Sequence, residues 1–236
     1  MHRNHIKQYI TIMTIEELRE LFIIGKDATK DVIKGRFDLI AKALFNNFAI
    51  KSGNDYYTFK EIEFYFYNRY HKDIITHPRN SEPMQFYVND FGGIDINFES
   101  KIKFREFKRE KDKNDTIIKR RYVLDDNAYF GGVLIRQLRK YTKSNKGLDY
   151  VELLDGPWKC ADLFRKLSEK LPVLEEYSNE KKVEKFVPQK RKNVIVKTEG
   201  KAQFIIDLYS SLGSEYDIKD LSSFNKYSDS PYRYVN

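Results

Sequence analysis

Seven consecutive residues, Glu61-Ile62-Glu63-Phe64-Tyr65-Phe66-Tyr67, alternate carboxylates and phenol rings with apolar side chains. Successive side chains of a strand point to opposite faces, so Ile62, Phe64 and Phe66 are expected on a core face. Glu61, Glu63, Tyr65 and Tyr67 then share the other face. There Tyr65 would support a flat ring while Glu63 acts on whatever is attached to it. The same pattern also describes an edge strand whose Glu and Tyr tips simply reach water. A second chemical group stands at Arg136. Within the strand expected over Gly131–Leu138, Val133 and Ile135 point one way and Leu134, Arg136 and Leu138 the other. That puts a guanidinium on an apolar face, where it needs a carboxylate or comparable acceptors.

The composition sets bounds on these readings. The chain has 236 residues, enough for one large or two small domains, and its 17 Phe and 17 Tyr make a sizeable core feasible. One cysteine, Cys160, excludes an internal disulfide and a multi-cysteine metal site, and suits a reducing, cytoplasmic setting. No signal peptide and no membrane-spanning run are read from the sequence. The net charge of +8 permits a polyanionic partner. Ten basic and four acidic residues fall within Lys101–Arg121, and a second basic cluster spans Lys181–Lys192 around Val183, Phe186 and Val187. Either cluster could equally be a solvated hairpin or loop.

The elements that must position these groups follow from local signals. Thr14-Ile15-Glu16-Glu17 reads as a capping box opening a helix to about Ile23. A second helix is expected after Lys34-Gly35, carrying Phe37, Leu39, Ile40, Ala43, Leu44 and Phe48 at helical spacing. Ser52-Gly53-Asn54-Asp55 is a turn joining a strand at Ala49–Lys51 to the strand Tyr56–Tyr67. Asn68–Pro83, with His71 and His77, reads as a long loop. Strands are expected at Gln85–Val88 and Ile94–Phe98, and a basic hairpin at Ile102–Phe107 and Thr116–Leu124. Asp155-Gly156-Pro157 starts a helix with Leu163, Phe164 and Leu167 as its stripe. Asn193–Lys197 is read as a strand, Ala202–Leu212 as a helix, and the end of the chain as irregular. An α+β fold with one curved antiparallel sheet flanked by helices fits this order, as a single domain over residues 1–236. Residues 1–34 would be a helical extension and 99–125 a basic hairpin insertion.

Several chemistries lack their residues. Gly92-Gly93 and Gly131-Gly132 are isolated pairs with no phosphate-loop pattern. No Gly-x-Ser-x-Gly elbow is present. The four histidines, His2, His5, His71 and His77, make no helical metal pair. Cys160, in the first turns of a helix, is expected to pack rather than react.

The order of these pieces resembles the alkyladenine (methylpurine) DNA glycosylase family, in a divergent form. The family's Glu-Thr-Glu-Ala-Tyr strand is similar to Glu61-Ile62-Glu63-Phe64-Tyr65. Its loop histidine is matched by His77, with His71 as the rival. Its aromatic strand and hairpin resemble Phe86-Tyr87-Val88 through Asn97, and its Val-Leu-Leu-Arg strand Val133-Leu134-Ile135-Arg136. Its Gly-Pro-x-Lys helix start resembles Gly156-Pro157-Trp158-Lys159, and its closing Pro-Trp-Arg-Phe resembles Pro231-Tyr232-Arg233-Tyr234. The resemblance covers about residues 36–165 and the last few.

It implies an N-glycosylase that flips a damaged or modified base out of DNA. Glu63 would activate water for attack on the sugar C1′, a reaction that needs no cofactor and no metal, and Arg136 would hold that water. Tyr65 would stack on one face of the base, with His77 and Tyr87 on the other. Asn97 would screen the base. Phe91, at the Asn89–Gly93 tip, would fill the vacated stack. Lys159 and the basic hairpin, with Arg120 and Arg121, would contact phosphates. The partner is therefore DNA, or a free nucleotide if the pocket is kept and the substrate changed; a module that binds a modified base without turnover is the remaining alternative. Phe64 replaces a small residue of the family, and Val88 a stacking tyrosine. Asp95 is a carboxylate the repair enzymes lack. An acid there would favour a donor-bearing or cationic base and repel phosphate.

Overall fold

The computed structural model describes residues 13–73, 75–89, 92–102, 104–111, 113–115, 117–165, 171–178, 183, 185–192 and 230–236, with the backbone alone in 104–111 and 117–123. The expected elements at 193–197 and 202–212, and the residues His2, His5, Phe91 and Leu167, lie outside this set.

Two helices lead the chain. The first, α1 (Ile15–Leu21), opens on the capping box: Thr14 accepts from the Glu17 N–H, and Glu17 accepts from the Thr14 N–H. The second, α2 (Lys30–Asn47), starts four residues before Lys34 with Thr29 at its N-cap. Gly35 is tolerated inside this helix; its Cα faces open space, at a propensity cost of about 1 kcal/mol. Ile33, Phe37, Ile40, Ala41, Ala43 and Leu44 form the buried stripe; Leu39, expected on it, faces outward and is about half exposed, and Phe48 is buried as the first residue of the following strand.

The fold is α+β, and its sheet is antiparallel and curved. β1 (Phe48–Ser52) and β2 (Asp55–Asn68) form the hairpin turned at Gly53, whose φ is +62°. β3 (His71–Lys72) folds back on the end of β2. β4 (Phe86–Val88) and β5 (Ile94–Asn97) form the next hairpin. β6 (Phe104–Lys111) and β7 (Ile117–Leu124) pair only with each other among the described residues, as a two-stranded sheet. β8 (Phe130–Ser144) is the long central partner of β2 and β5. It continues through a turn into β9 (Gly147–Asp155), before α3 (Pro157–Arg165). β10 (Val173–Glu176) pairs with β1, and β11 (Arg233–Val235) with β2. The main path is β10-β1-β2-β8-β5-β4.

Four of these strands depart from the sequence expectation, the first being β3, which falls in the stretch read as a loop. β9 was invisible as a strand because it is an exposed edge with no inward stripe. β10 is likewise a short, half-exposed edge. The last residues are not irregular: β11 docks on β2 because Tyr234 buries its ring in the core, with its hydroxyl donating to Asp38 at 2.6 Å.

The alternation in Glu61–Tyr67 holds on one side. Ile62, Phe64 and Phe66 are fully buried with Ile96, Val133 and Ile135. Phe37 of α2 stacks on Phe64 at 4.5 Å, and Phe98 packs against Phe22, Phe37 and Phe66. Burying rings of this size stabilises by several kcal/mol each, about 3–5 on the scale of Phe→Ala substitutions. This aromatic layer fixes which way β2 faces. Its opposite face carries the polar groups.

Candidate functional site

The antiparallel ladder sets Glu63, Leu134 and Asp95 in one row, and Tyr65, Gly132 and Asn97 in the next. Residues paired across a ladder share a face. The carboxylates of β2, the glycine of β8 and the polar residues of β5 therefore look the same way, away from the aromatic core.

Arg136, two residues beyond Leu134, shares this face by ordinary alternation, and the ladder is irregular just after it. Glu61 pairs with Gln137 and Ile62 with Ile135, which leaves Arg136 as an extra residue in β8. Its carbonyl accepts instead from the Gly156 N–H at 2.9 Å. The extra residue breaks the alternation, so Leu138 returns to the core while Arg136 stays on the face of Leu134 and Gly132. This corrects the expectation that Arg136 and Leu138 share an apolar face. Bulges of this kind re-aim one side chain, here Leu138. The Arg136 guanidinium, on the polar face, brings its Nε to 2.7 Å from Glu63 Oε2.

Glu63 is 0% exposed. Tyr65 donates its hydroxyl to Oε2 at 2.7 Å, and the Lys192 N–H donates to Oε1 at 2.6 Å. Arg136 also donates from Nη2 to the Lys192 carbonyl. Burial opposes the Arg136 charge, yet Glu63 and Tyr65 outweigh it and hold the guanidinium above its usual value. Burial, reinforced by Glu63, pushes the Tyr65 phenol well above its ordinary range. Tyr65 is thus a donor to Glu63, not a competing base.

The cover over Glu63 is the segment Gln189–Lys192, which the sequence offered only as part of a basic cluster. Gln189 exchanges backbone hydrogen bonds with Arg233 at 2.8 and 3.0 Å. Arg191 makes a two-pronged pair with Asp73 at 2.8 and 2.9 Å and donates to the Phe64 carbonyl at 3.0 Å. Its guanidinium carbon stands 4.5 Å from the centroid of the Tyr65 ring. Lys192 and Arg233 reach Glu61 at 3.0 and 3.3 Å. The expected stacking face of Tyr65 thus carries an arginine. Arg191, Lys192 and Asp73 were not singled out from sequence; the only signal was the charge density of Lys181–Lys192.

The β5 end of the face is a second cluster. Asp95 pairs with Arg79 at 2.9 Å and accepts from Asn89 Nδ2 at 3.3 Å. Arg79 stands 4.9 Å from the Tyr87 ring centroid, so this ring too faces a guanidinium. Burial raises the Asp95 carboxyl above its ordinary value against the opposing pull of Arg79; His77 also favours its charged form. Asn97 donates from Nδ2 to Ser81 Oγ at 2.8 Å. His71 serves a different purpose: its ring nitrogens bond the Phe66 carbonyl and the Tyr232 hydroxyl at 2.7 and 2.8 Å. The segment Asn68–Pro83 is the expected loop apart from β3, and buried His71, Asp73 and Arg79 anchor it.

The outer residues are more dispersed. Lys159 is exposed on the first turn of α3. Its neighbour Trp158 is 62% exposed, lies beside Gly92, and has the Arg165 guanidinium 4.1 Å from its ring centroid. In the basic hairpin, Arg120 faces Arg109 and Arg121 faces Lys108 across the backbone ladder, while the side chains of Arg120 and Arg121 lie outside the described residues. Cys160 is buried, and burial pushes its thiol up to about 12. No helix among the described residues is long and apolar enough to cross a membrane.

No family model, curated protein or solved structure matches this chain.

Proposed function

We propose that the chain hydrolyses the N-glycosidic bond of a flipped-out, damaged or modified nucleobase, with Glu63 as the general base. The observation that carries this reading is the buried contact between Arg136 Nε and Glu63 Oε2 at 2.7 Å. It sets a guanidinium against one carboxylate on the strand face that also carries Tyr65. A hydrolytic carboxylate must stay ionised and oriented, and must lie within reach of one water. Arg136 and Tyr65 supply the orientation. The position that water would take next to Oε1 is held by the Lys192 N–H, so the conformation described is a covered one. Displacing Gln189–Lys192 would free Oε1 for water and, with Arg191, one face of Tyr65 for a base. Glu63 would then take the proton of the water attacking C1′, and its charge would favour the cationic sugar as the bond to the base breaks.

One specific observation favours a second reading, a module that binds a base without turning it over. Both oxygens of Glu63 are already engaged, by Tyr65, Arg136 and Lys192.

The reaction is tested by incubating the wild-type chain with duplexes carrying alkylated or deaminated purines, and separately with free nucleotides, and assaying free base by mass spectrometry. Release from duplex that declines steeply with added salt supports a DNA substrate, because phosphate contacts release counterions. Salt-insensitive release from the nucleotides supports a small substrate. Absence of free base in both arms leaves the binding module.

A further inference from the structure

Arg79, Asp95 and Asn97 are 7%, 6% and 1% exposed, and two of their polar atoms have no hydrogen-bond partner among the described residues: the Asn97 carbonyl Oδ1 and the Arg79 Nε–H. Buried polar groups are ordinarily satisfied, so an open acceptor and an open donor in one cluster call for a ligand group of each kind. Both residues converge over Gly132. A methyl group there would lie 3.1 Å from Asn97 Oδ1 and would collide with the end of the Arg79 side chain. The glycine is what admits the guanidinium to this spot.

We propose that this cluster reads the edge of a neutral purine presenting an acceptor, a donor and a second donor in sequence, the guanine pattern of O6, N1–H and N2–H. Arg79 Nε–H would donate to the oxo group. Asn97 Oδ1 and the Asp95 carboxylate would take the two N–H donors. The inference rests on the base-handling reading of the same face and names its substrate class. Asp95 alone would have admitted a cationic base. Its pairing with Arg79 at 2.9 Å already neutralises it, and a second cation would meet the guanidinium. Adenine presents the opposite order of donor and acceptor. The row Asp95–Leu134–Glu63 separates the recognising carboxylate from the hydrolytic one by two ladder steps, about 10 Å between backbones. That separation suits a purine, whose read edge lies across its rings from the bond to the sugar.

The test is titration calorimetry on the full chain with guanosine, inosine, 1-methylguanosine, adenosine and 7-methylguanosine. Two further arms, guanosine monophosphate and a thymine oligonucleotide holding one guanine, distinguish a free nucleotide from a nucleic acid source. Guanosine is expected to bind at least about tenfold more tightly than each of the other four nucleosides, since each loses or reverses a hydrogen bond to a buried group or adds a positive charge. Asn97→Ala and the near-isosteric Asp95→Asn should each reduce that preference while circular dichroism shows a folded chain. Equal affinities, a preference for adenosine or 7-methylguanosine, no binding at all, or discrimination unchanged in both variants would overturn the proposal. Base preference without hydrolysis would sink the catalytic reading alone. Hydrolysis without this preference would sink the base assignment alone.

Discussion

Arg191 lies over the Tyr65 ring, 4.5 Å from its centroid, and both its terminal nitrogens are bound to Asp73. A buried guanidinium is thereby clamped between a carboxylate on one segment and an aromatic face on another. Removing one member of such a pair strands the other charge. Arg191→Ala is expected to cost about 3–5 kcal/mol in urea unfolding, with Asp73→Asn far from additive to it. A loss below about 1 kcal/mol would show that the clamp does not hold the cover in place.

The Glu63–Arg136 pair should behave in the opposite way under double replacement. Glu63→Leu alone leaves Arg136 uncompensated and is expected to destabilise by about 3–5 kcal/mol. Adding Arg136→Met should recover most of that loss, because well-packed apolar side chains often match a buried ion pair. The unfolding midpoints of the two single variants and the double variant check this. Recovery of stability with no recovery of activity would separate the pair's packing role from its chemistry.

The fold of this region was legible where one period dominated. Ile62, Phe64 and Phe66 alternate without a break, and the capping box at Thr14 is local, so both could be read directly. That Arg136 must find an acceptor also followed from elementary bookkeeping, while Glu63 as that acceptor came only from the family resemblance. The bulge did not show. An extra residue in β8, matched by Lys60 in β2, depends on which strand β8 pairs with, and that is a non-local fact. The cover was hidden for the same reason: Arg191 and Lys192 look like any solvated charge run until Asp73, more than a hundred residues away, is set beneath them. β9 carries no inward stripe, so no periodicity could reveal it.

Adjacent glycines in β8 should respond differently to a methyl group. At Gly131 a Cβ would collide with the Tyr65 carbonyl and lie 2.8 Å from the Phe66 Cα, both backbone atoms that cannot swing aside. At Gly132 the tightest clash is with the end of the Arg79 side chain. Gly131→Ala is expected to destabilise by about 2 kcal/mol or more, while Gly132→Ala should cost less stability and disturb base binding more. Thermal unfolding together with nucleoside titration distinguishes the two.

Asp95 predicts a pH dependence of defined sign. Burial raises its folded pKa above the ordinary 3.8, so the folded chain holds this proton more tightly than the unfolded one. Its contribution to stability is therefore complete below pH 3.8 and is lost as pH rises through the raised folded value. The stability of wild type relative to Asp95→Asn should fall as pH is raised across that window and level off above it. Urea unfolding of both chains at a series of pH values measures this difference. A relative stability that instead rises with pH would mean that the Arg79 pairing outweighs burial.

The central claim, that Glu63 activates water at an N-glycosidic bond, is tested most directly by single-turnover release of free base, with the chain in excess over a guanine-, hypoxanthine- or alkylpurine-containing substrate. Wild type is expected to release base, and Glu63→Gln to release it about a hundredfold or more slowly, the usual contribution of a general base. Equal rates from the two chains, or no base from wild type on any of these substrates, would contradict it.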